Sequence, residues 1–558
     1  MNSQNGALRT QEAAGGALRG QLSWAGIVIG VVGCVIITAS SVYTALKMGS
    51  LPWPTIFTSI TALVLLRACG RKGLSEANVT QVIMSAGSMV AGGLAFTIPG
   101  IWMLGLEGEV GLAELFFVAL AGTLLGLVCT ALIRKRFVDE SDLEYPIGVA
   151  AAETLEATTA RGGTGKRLFA SLGISALYTV ARDVLGALPS MLCALPIPGV
   201  SFGIYNSPMM LSVGFLVGFG ALAAAMAGAV VANFGLIVGA SAAGLWSLEA
   251  ADGIVKSLGM GLMMGSGLGV VLKDILPQLA RTLRGGQARG ERLTDVGSRG
   301  HAGLLALMVA AAALVICFGL GLGPAVAACV VVLSFVTTIM SAQSVGQTGI
   351  DPMEIFGLIV LLFVAAISEV GQVRLFFVAG VVAVTCGLAG DVMSDFKTGS
   401  LIGTNPRVMW VGQAIGALIG AGVASLTMAA LLKAYGADAF GVGREFVAAQ
   451  ASVVATMVSG IPNVAAFVIG LVGGIVLYLV GLPSMMLGLG VYLPFYMTFT
   501  MFMGSVVKRL VDVVARCRGV DAAVSQESGV VVASGMLGGE SIVGVLVALA
   551  GVVSGLLG

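Results

Sequence analysis

Carboxylates are scarce in this chain, and several stand inside stretches that are otherwise apolar. Glu144, Glu153 and Glu156 flank or enter a short run that opens with Tyr145-Pro146. Asp391, Asp395 and Lys397 gather where one apolar stretch ends, and Thr404-Asn405-Pro406-Arg407 opens the next, with Gln413 two turns further on. Arg182-Asp183 sits near the middle of residues 168–189, and Glu540 follows Gly538-Gly539 in the last apolar run. A charge at the bilayer centre costs about 2.5–3.5 kcal/mol on insertion scales, so such residues usually face a cavity or a partner. The chemistry open to this set is binding a charged solute and carrying a proton. For Arg182 and Asp183 the alternative is a structural ion pair with another span. As neighbours they lie about 100° apart around a helix and are expected to point different ways.

The element that must position the first group is the run from Pro146 to Ala157. Proline suits the first turn of a helix, where its missing N–H removes a donor that has no intrahelical partner. At about 1.5 Å per residue the run is about 18 Å long, too short to cross about 30 Å of hydrocarbon. Arg134, Lys135 and Arg136 precede it, and Arg161, Lys166 and Arg167 follow it. Basic loops stay on the cytoplasmic side, so the segment enters and leaves on one face, as a re-entrant half-helix. Pro146, Ala150, Glu153 and Ala157 share a helix face, with Glu156 three residues after Glu153. The free N–H groups of an embedded helix start can seat a carboxylate, and an acid deeper in the segment can carry a proton. The competing reading is a cytoplasmic amphipathic connector with solvated glutamates.

The composition leaves one class of protein. The chain has 558 residues, of which 57% are hydrophobic and 10% charged, with a mean hydropathy of +1.02. Soluble domains carry about 25% charged residues. Eighty-two glycines suit transmembrane helices packed closely through small residues. An all-α polytopic membrane protein follows, with roughly 14–17 crossings at about 20 residues each. A net charge of +1 gives no reason to expect a nucleic-acid partner.

Charge asymmetry orders the first crossings. Residues 23–47 and 53–67 are joined at Leu51-Pro52-Trp53-Pro54 and followed by Arg67, Arg71 and Lys72; residues 78–104 lead to Glu107 and Glu109; residues 112–133 return to Arg134–Arg136. An N-terminus in the cytoplasm and an uncleaved first span are expected. The loop of residues 281–301 is the most basic and is read as a cytoplasmic linker between an N-terminal half, residues 1–280, and a C-terminal half, residues 302–558. Internal repetition is expected as well. The first three spans are matched to the last three, Ser85–Gly93 to Ala533–Gly539, and Glu144-Tyr145-Pro146 to Thr404-Asn405-Pro406. Repeats with interrupted helices at corresponding positions place a solute site between the halves.

Other patterns carry little. Gly162-Gly163-Thr164-Gly165-Lys166 resembles a phosphate loop, but Ala160 stands where the first glycine belongs and no strand precedes it. One histidine, His301, gives no metal cluster. The eight cysteines form no Cys-x-x-Cys pair and read as small buried residues. The 25 methionines read as packing. No cofactor, metal site or intramembrane enzyme motif is indicated, and rings of charge suited to a channel are missing.

Several blocks together resemble the oligopeptide transporter family, which includes the yellow-stripe-like metal-chelate carriers. They are Leu143-Glu144-Tyr145-Pro146-Ile147-Gly148-Val149-Ala150, Asn78-Val79-Thr80-Gln81 through Ser85-Ala86-Gly87, and Phe96-Thr97-Ile98-Pro99. Asp395-Phe396-Lys397-Thr398-Gly399 with Pro406-Arg407, Leu489-Gly490-Val491-Tyr492-Leu493-Pro494 and Gly538-Gly539-Glu540-Ser541 complete the set. They fall in order along almost the whole chain. No histidine follows the Tyr-Pro block, unlike some plant members, which weakens transfer of a metal-chelate cargo. The resemblance implies a plasma-membrane secondary transporter that brings peptides or metal chelates inward with protons; an oligomer is compatible with it. Joined to the residue reading, it puts Tyr145, Pro146, Glu153, Asn405 and Gln413 at the substrate and makes Glu153, Glu540 and Asp391 the candidates for the proton.

Overall fold

The computed structural model describes residues 20–49, 51, 55–141, 143, 145–160, 164–270, 272–273, 299–349, 351–441, 443–459 and 463–557. Residues 281–298 of the basic linker, Glu144, Arg161 and the side chains of Glu153, Glu156 and His301 lie outside the described set. The described chain is almost wholly helical, and nine of its helices are long and apolar enough to cross a membrane. Five shorter apolar helices accompany them.

The first half opens with α1 (Trp24–Met48), α2 (Thr55–Ala68), α3 (Leu74–Ala95) and α4 (Pro99–Met103), then α5 (Leu112–Arg134), α6 (Pro146–Ala160) and α7 (Thr164–Thr179). A hairpin of β1 (Met191–Ile197) and β2 (Val200–Tyr205) interrupts the helices where a plain loop was expected. It is followed by α8 (Pro208–Val217), α9 (Phe219–Val230) and α10 (Leu248–Val270). The second half runs α11 (Arg299–Leu314), α12 (Gly323–Thr348), α13 (Met353–Ile367), α14 (Gln372–Ile402), α15 (Pro406–Tyr435) and α16 (Ala449–Ser459). It closes with α17 (Val464–Val480), α18 (Ser484–Tyr492), α19 (Phe495–Cys517) and α20 (Ala522–Leu557).

Glycines set the core crossings. A Cβ at Gly420 of α15 would fall 2.3 Å from the Cα of Gly87 in α3, and one at Gly416 would fall 2.2 Å from the carbonyl of Ile83. These contacts, with Gly26 on Thr80 and Gly33 on Met84, make α1, α3 and α15 parallel. Gly122 on Val384 and Gly126 on Leu388 make α5 parallel to α14, and Ser341 bonding to Cys386 with Val345 against Gly390 adds α12 to that direction. Gly93 on Val384 and Gly399 on Asn78 make α3 and α14 antiparallel.

The chain is therefore built from an inverted repeat. Contacts of α1 with α3, α2 with α3 and α3 with α15 recur as α12 with α14, α13 with α14 and α14 with α5. Further on, α10 packs on α17 as α20 packs on α7, and α9 on α18 as α19 on α8. The first three spans thus correspond to α12, α13 and α14, and not to the last three as expected. Both α1 and α12 end on a glycine in the left-handed region, Gly49 (φ 64°) and Gly349 (φ 72°), each with its N–H on a carbonyl four residues back. Glycine tolerates that conformation without steric cost, and a proline follows three residues later in each copy, Pro52 and Pro352.

Candidate functional site

The half-helix α6 is present, beginning at Pro146 and running to Ala160. Tyr145 ahead of it has φ 49°, a conformation uncommon for a bulky residue. Its N–H donates to the carbonyl of Gly346 at 2.9 Å, and its hydroxyl lies 3.5 Å from the carbonyl of Ala342. The ring is fully buried against α12, while Pro146 is exposed. A Cβ on Gly148 would stand 2.4 Å from the carbonyl of Ser394, so α6 lies directly on α14. Thr398 Oγ1 donates to the carbonyl of Gly148 at 2.9 Å, and Lys397 Nζ to that of Leu143 at 3.3 Å.

The second copy of this arrangement stands at α16. Ala448 before it has φ 41°, and its N–H donates to the carbonyl of Leu46 at 2.8 Å. Leu46 and Gly346 each precede the helix-ending glycine by three residues. Each half-helix is thus fastened to the broken helix of the other half. The counterpart of Tyr145-Pro146 is Ala448-Ala449, and the expected match to Asn405-Pro406 is corrected accordingly.

In the buried middle of α14, Asp391 and Asp395 stand one turn apart and on one face. Gln81 Nε2 of α3 donates to Asp395 Oδ1 at 3.0 Å, and Gln413 Nε2 of α15 donates to Oδ2 at 2.6 Å. All four side chains are at most 1% exposed. Both oxygens of Asp391 lack a hydrogen-bond partner among the described residues, as do Oε1 of Gln81 and of Gln413. Nearby, Ser341 Oγ donates to Asp351 Oδ1 at 2.9 Å in the break between α12 and α13, leaving Oδ2 buried and unpartnered. Burying a polar group without a partner is unfavourable, so this set of bare acceptor oxygens is maintained against a stability penalty.

A different network holds Glu540. Its carboxylate accepts from Arg182 Nη2 at 2.9 Å, from Ser207 Oγ at 2.9 and 3.0 Å, and from the N–H of Met209 at 2.8 Å. Arg182 also donates to Asp183, at 2.6 Å from Nε and 2.8 Å from Nη2. The two neighbours therefore do meet, contrary to expectation. The π-helical turn Val180–Val184 that contains them departs from the α-helical spacing on which that expectation rested. Close by, Lys47 at the end of α1 is buried, pairs with Glu445, and lies 5.8, 5.7 and 5.9 Å from the ring centres of Tyr43, Tyr205 and Phe446.

Of the residues singled out in the sequence, the structure brings together Asp391, Asp395 and Gln413. Asn405 stands apart, capping α15 by accepting from the N–H of Arg407 at 2.9 Å, about 12 Å along the axis from Gln413. Glu540 belongs to the α7–α8–α20 group. In the sequence Gln81 stands out only within a family block, and Lys47 only as the end of a span. A lysine closing a long apolar helix was the signal available for the second.

Residues 21–550 match the model of the family described as OPT oligopeptide transporter protein. The "Putative oligopeptide transporter" of Haemophilus influenzae is 24% identical over 453 residues, covering 71% of this chain and 70% of its own length. The metal-nicotianamine transporter YSL3 of Arabidopsis thaliana is 36% identical over 97 residues, covering 17% of this chain and 14% of its own. For the metal-nicotianamine transporter YSL2 of Oryza sativa the figures are 36% over 106 residues, 19% and 16%.

Proposed function

Because this chain belongs to the oligopeptide transporter family, whose members are transporters and not enzymes, we propose that it is a proton-coupled secondary carrier importing short peptides or amino-acid-derived metal chelates. The plasma membrane, with the N-terminus in the cytoplasm, is the location this reading requires. Its two transmembrane halves are residues 1–280 and 302–558, joined through the basic linker 281–301, and the motion is one repeat set against the other. Rocking of inverted repeats about a central site is the general route to alternating access.

The observation that carries the coupling is Asp391. A carboxylate at this depth with no cation and no donor among the described residues is retained for function more readily than for stability. A proton is the counter-charge it can accept and release. Asp395, fixed by Gln81 and Gln413, ties that event to α3 and α15, helices from opposite halves. Glu540, already satisfied by Arg182, the Ser207 hydroxyl and the Met209 N–H, is the weaker proton candidate, and Glu153 on α6 remains the third. Tyr145 and Pro146 act by positioning α6 beside this cluster, with Gln413 facing the substrate path and Asn405 at its mouth. The relative that matches over most of its length is named for oligopeptides, and this favours peptides over chelates as cargo.

Uptake into proteoliposomes tests the coupling. One proton moved per solute under one pH unit supplies about 1.4 kcal/mol, or about tenfold accumulation. Asp391→Asn should lose this accumulation yet keep exchange of solute down its own gradient. Undiminished gradient-driven accumulation by the variant would remove Asp391 from the coupling role.

A further inference from the structure

Beside the second half-helix lies a cavity of about 380 Å³. It is bounded by Trp102 and Met103 of α4, Lys256 of α10, Asp438 and Arg444 of the segment after α15, and Ser452 and Thr456 of α16. Among its described lining residues, side chains that can only donate outnumber those that can only accept. Arginine, lysine and the indole N–H can only donate, whereas Asp438 is the single carboxylate among the described residues of the wall. Arg444 makes no ion pair among the described residues. Lys256 meets Asp252 at 2.6 Å on an exposed helix turn, an interaction worth little in water. Trp102 is 2% exposed, yet its Nε1 has no acceptor among the described residues, although a buried indole N–H usually finds one.

From this excess of donors we infer that the cavity is a binding site for the carboxylate of an amino-acid-derived solute, held by Arg444, Lys256 and the Trp102 N–H. The inference rests on the transport reading above and adds to it the chemical group recognised and the residues that recognise it. A peptide C-terminus and a polycarboxylate chelate share that group. The position also suits a first encounter, because the wall continues into the broken end of α1. Trp102 packs edge-on against Phe440 at 4.7 Å, and Phe440 stacks on Phe446 at 5.1 Å, one of the rings around Lys47. Arg444 is followed directly by Glu445, the partner of Lys47. Filling the cavity therefore acts on the segment that holds the α1 break closed.

The test measures binding to purified full-length protein by titration calorimetry, with tri-alanine, tri-alanine amide and iron(III)–citrate as probes, alongside uptake of the same probes. Tri-alanine should bind at least tenfold more tightly than its amide. Arg444→Gln with Lys256→Gln should abolish most of that difference. Tight binding of iron(III)–citrate with the same dependence on Arg444 supports the site with a chelate as the source of the carboxylate. Equal affinities for tri-alanine and its amide, or a double variant that binds and transports like wild type, would overturn the site and leave the transport reading standing. Wild-type protein that takes up none of the probes would overturn the transport reading, and this inference with it.

Discussion

Replacing Glu540 with glutamine removes one charge from a pair in which both side chains are almost fully enclosed, Arg182 at 2% and Glu540 at 1% exposure. Breaking a buried pair from one side destabilises by about 3–5 kcal/mol, because the remaining charge is left uncompensated. Two features pull the value toward the lower end. Arg182 keeps Asp183, whose side chain is 33% exposed and partly hydrated, and the new amide still offers one oxygen to Ser207 or Met209. We expect a loss of about 3 kcal/mol, read as a shift of the unfolding midpoint in a detergent titration followed by circular dichroism. A cycle with Arg182→Met isolates the pair, and residues sharing one network couple by about 0.5–3 kcal/mol. A Glu540→Gln protein within about 0.5 kcal/mol of wild type, the range of an ordinary surface change, would refute the clamp. So would a double variant whose loss is the plain sum of the two single losses.

Tyr145→Phe should leave folding and uptake near wild type, since the hydroxyl contact is 3.5 Å long; Tyr145→Ala should destabilise by about 3–5 kcal/mol through the cavity it leaves, measured in the same titration. Gly420→Val should prevent accumulation of folded protein, judged by size exclusion of a fluorescent fusion, because even a Cβ there falls 2.3 Å from the Cα of Gly87. Overpacked cores lose about 1–3 kcal/mol where neighbours can move, and here the obstacle is backbone.

Periodicity and charge in the sequence located the early elements closely. The expected spans 23–47, 53–67 and 112–133 appear as Trp24–Met48, Thr55–Ala68 and Leu112–Arg134. The Pro146 half-helix was legible because proline at a helix start leaves a signature. Its partner at α16 was not, since the strained residue there is Ala448, an alanine with none of the usual marks of a turn. The repeat was matched wrongly for a related reason: Gly/Ser-rich stretches such as Ser85–Gly93 recur wherever helices cross closely, so composition alone does not set register. The hairpin at residues 191–205 was hidden by its apolar residues, which read equally well as an uncharged loop. In the buried cluster, Asp391, Asp395 and Gln413 stood out as polar residues in apolar runs. That Gln81 bonds the same carboxylate as Gln413 depends on how α3, α14 and α15 cross, and no local pattern encodes that crossing.

Tyr145 closes on Gly346 and Ala448 on Leu46, so each latch needs a seat some two hundred or four hundred residues away in the chain. During synthesis, then, Tyr145 emerges long before its catch has been made, and neither portion of the molecule can finish maturing by itself. Cutting the polypeptide in the stretch 281–298 and producing the pieces separately should yield two unfinished products, whereas making them together should restore the whole.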